Sequence, residues 1–267
     1  MDPNLSQHFL IDPAVVDFLV GQIPQKSSVL EIGAGSGTIT EKLAQKTAKV
    51  TAVEIDKRFS PDLSAVKNRH KNIEIIFGNV LDLDFSADKN LWLTGNIPFH
   101  IVEPLLLKTA LSPLAGAVFL AGVNLAAEIN ARIENPHFGK LTILVNTFFR
   151  AEILKRVRRE SFSPVPKTDV VVVKLTPRKR REFLVDPVLF VFRELFLSAK
   201  HSPQIKNALR EIIIRSEKRR NKKVLTKNAA RTEVENLNLP AGVLAKSFEQ
   251  LNNDELCLLF GAVKMVS

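Results

Sequence analysis

Short apolar runs rich in Val, Ile and Leu alternate with helix-like stretches through the first two thirds of the chain. Ser28 to Ile32, Lys49 to Val53, Ile73 to Phe77, Leu91 to Thr94 and Gly116 to Ala121 each read as a short buried strand. Buried strands separated by helices imply a mostly parallel sheet covered on both faces. Two later runs, Leu141 to Phe149 and Val170 to Leu175, are expected to close this sheet as a hairpin-like pair, which makes seven strands. From Asp186 the strand signal stops. Leu189, Phe192 and Phe196, then Ile205, Leu209, Ile212 and Ile213, recur at helical spacing, with Pro187, Pro203 and Pro240 suited to helix starts. The change of period falls in the basic, Pro-containing stretch Thr176 to Pro187. The expectation is an α/β domain over residues 1–180 and a small all-α domain over 181–267.

The chain of 267 residues is 45% hydrophobic and 25% charged, an ordinary globular composition that excludes disorder over most of its length. Cys257 is the only cysteine, so no internal disulfide forms, and no Cys/His cluster spells a structural zinc site. No metal is expected. The start, Met1-Asp2-Pro3-Asn4, lacks the basic and apolar regions of a signal peptide, and no apolar run approaches the roughly 20 residues that span a bilayer. These features predict a cytoplasmic protein without membrane attachment, and nothing suggests more than a monomer. Charge is unevenly spread. Residues up to Phe149 carry 13 basic and 15 acidic side chains, net −2, whereas those after it carry 25 and 13, net +12. The dense runs Lys155 to Arg159, Arg178 to Arg181 and Lys218 to Lys223 suit phosphate neutralisation and point to a polyanion partner.

The strand Val29-Leu30-Glu31-Ile32 runs into Gly33-Ala34-Gly35-Ser36-Gly37 and then a helical stretch. Glycines at such a turn permit positive φ and close approach of a ligand to the backbone. Glu54, at the end of the next strand, is placed to accept ribose hydroxyls. The loop reads G-x-G-x-G rather than the G-x-G-x-x-G of nicotinamide enzymes. Together with the carboxylate of Glu31 just before it, this favours S-adenosylmethionine, whose tail brings an ammonium group and no phosphate.

The fourth strand ends in Gly95-Asn96-Ile97-Pro98-Phe99-His100, the most specific stretch of the chain. An exocyclic amine of a base is a poor nucleophile because its lone pair is delocalised into the ring. Hydrogen bonds from that amine to the Asn96 side-chain oxygen and to a carbonyl of the Ile97-Pro98 turn would favour a tetrahedral nitrogen and stabilise its developing charge. Phe99 is suited to pack on an extruded base. The turn is similar to the N-x-P-[FY] motif of amino-methyltransferases.

With these residues in hand, the chain resembles the rRNA adenine N6-dimethyltransferase family, which includes KsgA-type small-subunit enzymes, Erm-type resistance enzymes and the mitochondrial transcription factors B. The likeness covers nearly the whole chain. Ser6-Gln7-His8-Phe9-Leu10 is similar to the family's Q-N-F-L element, Glu31 to Gly37 to E-I-G-x-G-x-G, Val53 to Asp56 to the ribose-binding strand end, Ala127 through Arg132 to K-E-V-A-x-R, and Phe162 to Asp169 to F-x-P-x-P-K-x-D. The resemblance implies a Rossmann-like class I methyltransferase domain followed by a helical RNA-binding domain. It also implies cofactor contacts at His8, Leu10, Gly33, Gly35, Glu54, Asn79 and Asn96. Catalytic roles would fall to Asn96, Pro98, Phe99 and Phe162, with Phe99 and Phe162 sandwiching the target adenine.

Three positions depart from the family pattern. His8 stands for Asn, Asn79 for the Asp that bonds the cofactor's adenine amine, and His100 for the Asn after N-L-P-Y. The first two imply weaker cofactor affinity. The partner implied is rRNA or a preribosomal subunit. Ile205-Lys206-Asn207-Ala208-Leu209 favours the KsgA-type, small-subunit target, whereas Ser6-Gln7 is closer to Erm proteins or the mitochondrial factors. A non-catalytic ribosome-assembly or transcription factor on the same fold is the competing reading, and a methyltransferase of small-molecule or protein amines is disfavoured by the basic C-terminal half.

Overall fold

Among the described residues most strands are drawn from runs rich in Val, Ile, Leu or Phe, and seven of them form one sheet. The computed structural model describes residues 8–84, 88–110, 112, 114–201, 203–220 and 224–266, without the side chains of Phe99, Lys200, Arg220 and Val266. The chain divides into two compact units, one running through Ala127 and resuming over Phe149–Pro177, the other comprising Glu128–Phe148 and the chain from Arg178.

The first unit contains β1 (Phe9–Leu10), α1 (Pro13–Gly21), β2 (Ser28–Ile32), α2 (Thr38–Lys46), β3 (Lys49–Glu54), α3 (Ser60–Arg69), β4 (Ile73–Phe77), β5 (Leu91–Asn96), α4 (Phe99–Ala110) and β6 (Gly116–Gly122). α5 (Val123–Ile129) passes into the second unit, where α6 (Lys140–Phe148) follows; β7 (Phe149–Val157), β8 (Phe162–Ser163) and β9 (Val170–Pro177) return to the first. The large sheet has the order β4-β3-β2-β5-β6-β9-β7, parallel from β4 to β6 and antiparallel where β9 meets β6 and β7. Its central strands are covered on both faces, and so Val29, Leu30 and Ile32 of β2 and Val50, Ala52 and Val53 of β3 are all buried. The edge strand β7 instead exposes Arg150, Glu152 and Arg156, charges that discourage pairing with another chain. From β2 the chain proceeds outward through β3 and β4, then returns to lay β5 on the other side. Such a reversal opens a crevice at the C-terminal ends of β2 and β5, where α/β sheets bind ligands.

The second unit is helical: α6, then α7 (Glu182–Val185), α8 (Pro187–Ser198), α9 (Ile205–Arg220), α10 (Lys227–Asn236), α11 (Ala241–Ala245) and α12 (Asn253–Val266). Asp186 caps α8, its carboxylate accepting the Val188 and Leu189 N–H groups, and Pro187 occupies the first turn. The core is aromatic, with Phe192 and Phe138 packed on Phe260, and Phe148 and Phe248 on Phe196, at centroid separations of 4.9–5.7 Å.

Two expectations are corrected here. Leu141 to Phe149 is not a strand: Lys140–Phe148 is α6, and only Phe149 begins β7. Every α6 residue from Leu141 to Phe148 except Asn146 is buried, so the run lacks the polar stripe that separates a helix from a buried strand in sequence. Its start is set by Gly139 N–H donating to Thr142 Oγ1, which itself donates to the Glu128 carbonyl. Consequently residues 128–148, expected in the first domain, pack with the helices, and the second boundary falls after Pro177.

Candidate active site

The loop after β2 is dictated by glycine sterics. Gly33, Gly35 and Gly37 all have positive φ, at 71°, 52° and 85°. At Gly37 a Cβ would also lie 2.9 Å from Val66 Cγ2, so the loop closes against α3 only without a side chain. Glu54, 5% exposed at the end of β3, ties this loop down. Its Oε2 accepts the Gly35 N–H at 2.8 Å, and its Oε1 accepts the N–H groups of Ile55 and Asp56 at 2.8 and 2.9 Å. A carboxylate offers about four acceptor sites, which leaves one, on Oε2, for a ribose hydroxyl rather than room for two. Beside it Ile55, within the stretch similar to the family's ribose-binding strand end, is 59% exposed and presents an apolar surface.

Across the crevice, β5 comes close to β2 because Gly95, at φ 142°, has no side chain; a Cβ there would run into the Ile32 carbonyl. Asn96 follows directly. Its Nδ2 donates to the His8 carbonyl at 2.6 Å, which fixes the orientation of the amide, since a carbonyl only accepts. Oδ1 is then the outward acceptor. The His8 ring in turn donates from Nδ1 to the Pro164 carbonyl at 2.7 Å, and β1 pairs antiparallel with β8, Phe9 opposite Ser163 and Leu10 opposite Phe162. Phe9 lies on the glycine loop, 3.1 Å from where a Gly35 Cβ would sit, and edge-on to Phe59 at 5.5 Å. Three segments distant in sequence thus meet at the end of β5.

A family model described as ribosomal RNA adenine dimethylase matches residues 1–240. The chain belongs to this family. It is 31% identical over 202 residues to the ribosomal RNA small subunit methyltransferase A of Bacillus licheniformis, covering 71% of this chain and 69% of that one. Identity to the probable ribosomal RNA small subunit methyltransferase A of Pyrobaculum aerophilum is 35% over 176 residues, 66% of this chain and 75% of the other. Among solved structures, a dimethyladenosine transferase from Plasmodium falciparum superposes with a TM-score of 0.63 at 27% identity, over 96% of this chain and 98% of that one. The 23S rRNA methyltransferase ErmE, with a TM-score of 0.59 at 20% identity over 96% and 99%, shares the fold. The fold is the Rossmann-like methyltransferase fold with a helical C-terminal region, and the family's enzymes are S-adenosylmethionine-dependent rRNA adenine methyltransferases.

Against this family pattern the expected site residues fall into three groups. Gly33, Gly35, Glu54 and Asn96 gather at the C-terminal ends of β2, β3 and β5 with His8 beside them, and Gly33 is exposed there with only the Asn96 carbonyl, at 3.9 Å, near its missing Cβ. Pro98 and His100 are exposed. Asn79 follows β4, also exposed, and its Oδ1 accepts the Leu81 N–H at 3.0 Å. An aspartate there would offer a second, charged oxygen to an adenine amine, whereas Asn79 keeps only the remaining lone pair of Oδ1, beside an NH2 group that is a donor. The second group is buried. Phe162, expected to stack on the target base, is 1% exposed in the core around Leu10, Val157 and Val170, so it packs the β1-β8 pair and offers no free ring face. Leu10 is 6% exposed in the same core, which leaves only its main chain for any ligand. Glu31 is 1% exposed and bonded to the Thr40 hydroxyl at 2.5 Å, its carboxyl pushed up to about 8 chiefly by burial. Burial thus favours its neutral form, which suits it poorly to hold an ammonium group. The third group, Ser6, Gln7, Asn221 to Lys223 and the Phe99 side chain, lies outside the described residues.

The basic runs are partly self-neutralised. Arg156 pairs with Asp169, Arg159 with Glu160 and Arg178 with Glu182, while Lys155 lies over the Phe18 ring and Arg219 over Phe190. Among the described residues, Arg158, Arg180, Arg181 and Lys218 are exposed and carry no ion pair. Among the described residues no group of three or more His, Cys, Asp or Glu could hold a metal, and no helix is long and apolar enough to cross a membrane.

Proposed function

We propose that this protein is a KsgA-type enzyme that methylates the N6 amine of adenine in small-subunit (16S) rRNA, in the cytoplasm and as a monomer, with rRNA or a preribosomal subunit as partner. The observation that carries the reading is the Asn96 amide, whose nitrogen is committed to His8 so that its oxygen is the acceptor at the mouth of the crevice. The names of the relatives from Bacillus licheniformis and Pyrobaculum aerophilum support the small-subunit target over the large-subunit one.

The residues fit S-adenosylmethionine. When bound, it supplies a methyl group on a cationic sulfur. Glu54 would take one ribose hydroxyl on its remaining acceptor site, Ile55 would cover an apolar ring face, and the Gly33 opening would admit the amino-acid tail. Asn96 Oδ1 and a carbonyl of the Ile97-Pro98 turn would each accept an N6 hydrogen. Those bonds draw the nitrogen towards tetrahedral geometry, free its lone pair for the methyl carbon, and stabilise positive charge until a proton is released. In-line placement supplies much of the remaining acceleration. Phe99 is proposed to pack on the extruded base.

The test is transfer of labelled methyl to separated small and large ribosomal subunits that lack these methylations, with mass mapping of the product. Dimethyladenosine in the small-subunit rRNA is expected. Label in the large-subunit rRNA would replace this reading with the Erm type, and absence of label from both would leave a non-catalytic RNA-binding factor.

A further inference from the structure

We propose that His8 is a positioning residue for methyl transfer, its ring tether to Pro164 holding the backbone carbonyl that keeps the Asn96 amide oxygen turned towards the substrate amine. The inference rests on the function proposed above.

In the β1-β8 ladder Ile11 N–H donates to the Ser161 carbonyl, and Phe9 stands opposite Ser163. Main-chain bonds alternate along an antiparallel pair, so residues 9 and 11 face β8 while those of residue 8 point away from it. The His8 carbonyl is therefore outside the ladder and available to Asn96 Nδ2 at 2.6 Å. A ladder that ends at residue 9 leaves residue 8 to fray. The side chain prevents this: Nδ1 donates to the Pro164 carbonyl at 2.7 Å, pinning residue 8 to the segment just beyond β8. Nδ1 carries hydrogen in both the charged ring and this neutral tautomer, so the tether does not depend on the charge of the ring. Without it the carbonyl moves, and the Asn96 amide is free to rotate its NH2 group towards the substrate, where a donor would face the N6 hydrogens. His8 touches no reacting atom in this scheme; it acts through Asn96.

Two variants remove the donor, His8→Ala and His8→Phe, the second keeping the bulk of the ring; His8→Asn keeps a shorter donor. With the full-length chain and unmethylated small subunits, kcat is expected to fall about tenfold in the first two. The KM for subunits and the Kd for S-adenosylmethionine should stay within about twofold, and His8→Asn should recover part of the loss. A raised Kd with kcat retained would overturn the proposal and make His8 a cofactor contact, as would unchanged kinetics in His8→Phe. The Asn96 side-chain amide protons, followed by NMR in the free protein, supply a readout independent of turnover. Their exchange with water should quicken about tenfold in His8→Phe, and unchanged exchange would overturn the tether. If wild-type protein methylates neither subunit, the proposed function fails and the positioning role falls with it, while the exchange measurement still decides the tether of Asn96 through His8.

Discussion

Replacing Glu31 with Gln should make the protein more stable in mild base and leave it nearly unchanged in mild acid. Glu31 lies in the central strand β2, in register with Ala52 on one side and Thr94 on the other, so its carboxyl has no route to water. Burial raises its pKa to about 8 from 4.5; the Thr40 hydroxyl pulls it down and the neighbouring Glu54 charge pushes it up. The unfolded chain loses this proton near pH 4.5 whereas the folded chain keeps it until about 8, so the stabilisation is complete below 4.5 and is lost as pH rises to about 8. At about 1.4 kcal/mol per pH unit the loss over that window is of order 5 kcal/mol. Glutamine keeps the shape and an oxygen for Thr40 but does not titrate. Guanidinium unfolding between pH 5 and 8.5, followed by the fluorescence of Trp92, the single and buried tryptophan, reads this directly. The depressed carboxyls of Glu41, Glu160, Glu255, Asp12 and Asp88 lose their contribution only below their ordinary range, outside the window. Wild type and Glu31→Gln should converge at pH 5 and separate by several kcal/mol at pH 8.5; parallel curves would show that the carboxyl is already ionised in the fold and refute the reasoning.

Asn79→Asp should tighten S-adenosylmethionine binding about tenfold in calorimetry, because it adds a charged acceptor oxygen, worth about 1.5 kcal/mol, beside the one that caps Leu81; an unchanged Kd would place the adenine amine elsewhere. Phe162→Ala should cost roughly 3–5 kcal/mol of unfolding free energy, as for a fully packed core phenylalanine. A variant that stays stable yet loses turnover would instead return Phe162 to the role of a stacking platform. Replacing Arg180 and Arg181 with Ser should weaken rRNA binding and lower the slope of log affinity against log salt by about 0.7 to 0.9 for each phosphate no longer neutralised, and an unaltered slope would mark both side chains as merely solvated.

Most of the sheet was legible along the chain, because a buried parallel strand is a continuous apolar run and a glycine turn is a local steric demand. The Gly33-x-Gly35-x-Gly37 loop, Glu54 at a strand end and Asn96 before Ile97-Pro98 need only their own neighbours to be recognised. The helical second unit was likewise visible from Asp186 onward, in the Phe and Leu spacing and in Pro187 at the start of α8. α6 was not. A nine-residue run buried on nearly all sides satisfies helix and strand periodicity alike, and packing among Phe148, Phe183 and Phe196 decides between them.

The sequence by itself determined which residues are candidates for the chemistry and which strand ends present them, since those properties follow from backbone sterics and hydrophobic period over a few residues. Tertiary structure alone decided the state of those residues: that Phe162 is core, that burial favours the protonated form of Glu31, that the Asn79 oxygen already accepts the Leu81 N–H, and that His8 joins Asn96 to Pro164 across 88 and 156 residues of chain. Burial and the choice of hydrogen-bond partner depend on atoms brought from far along the chain, and no local pattern records them.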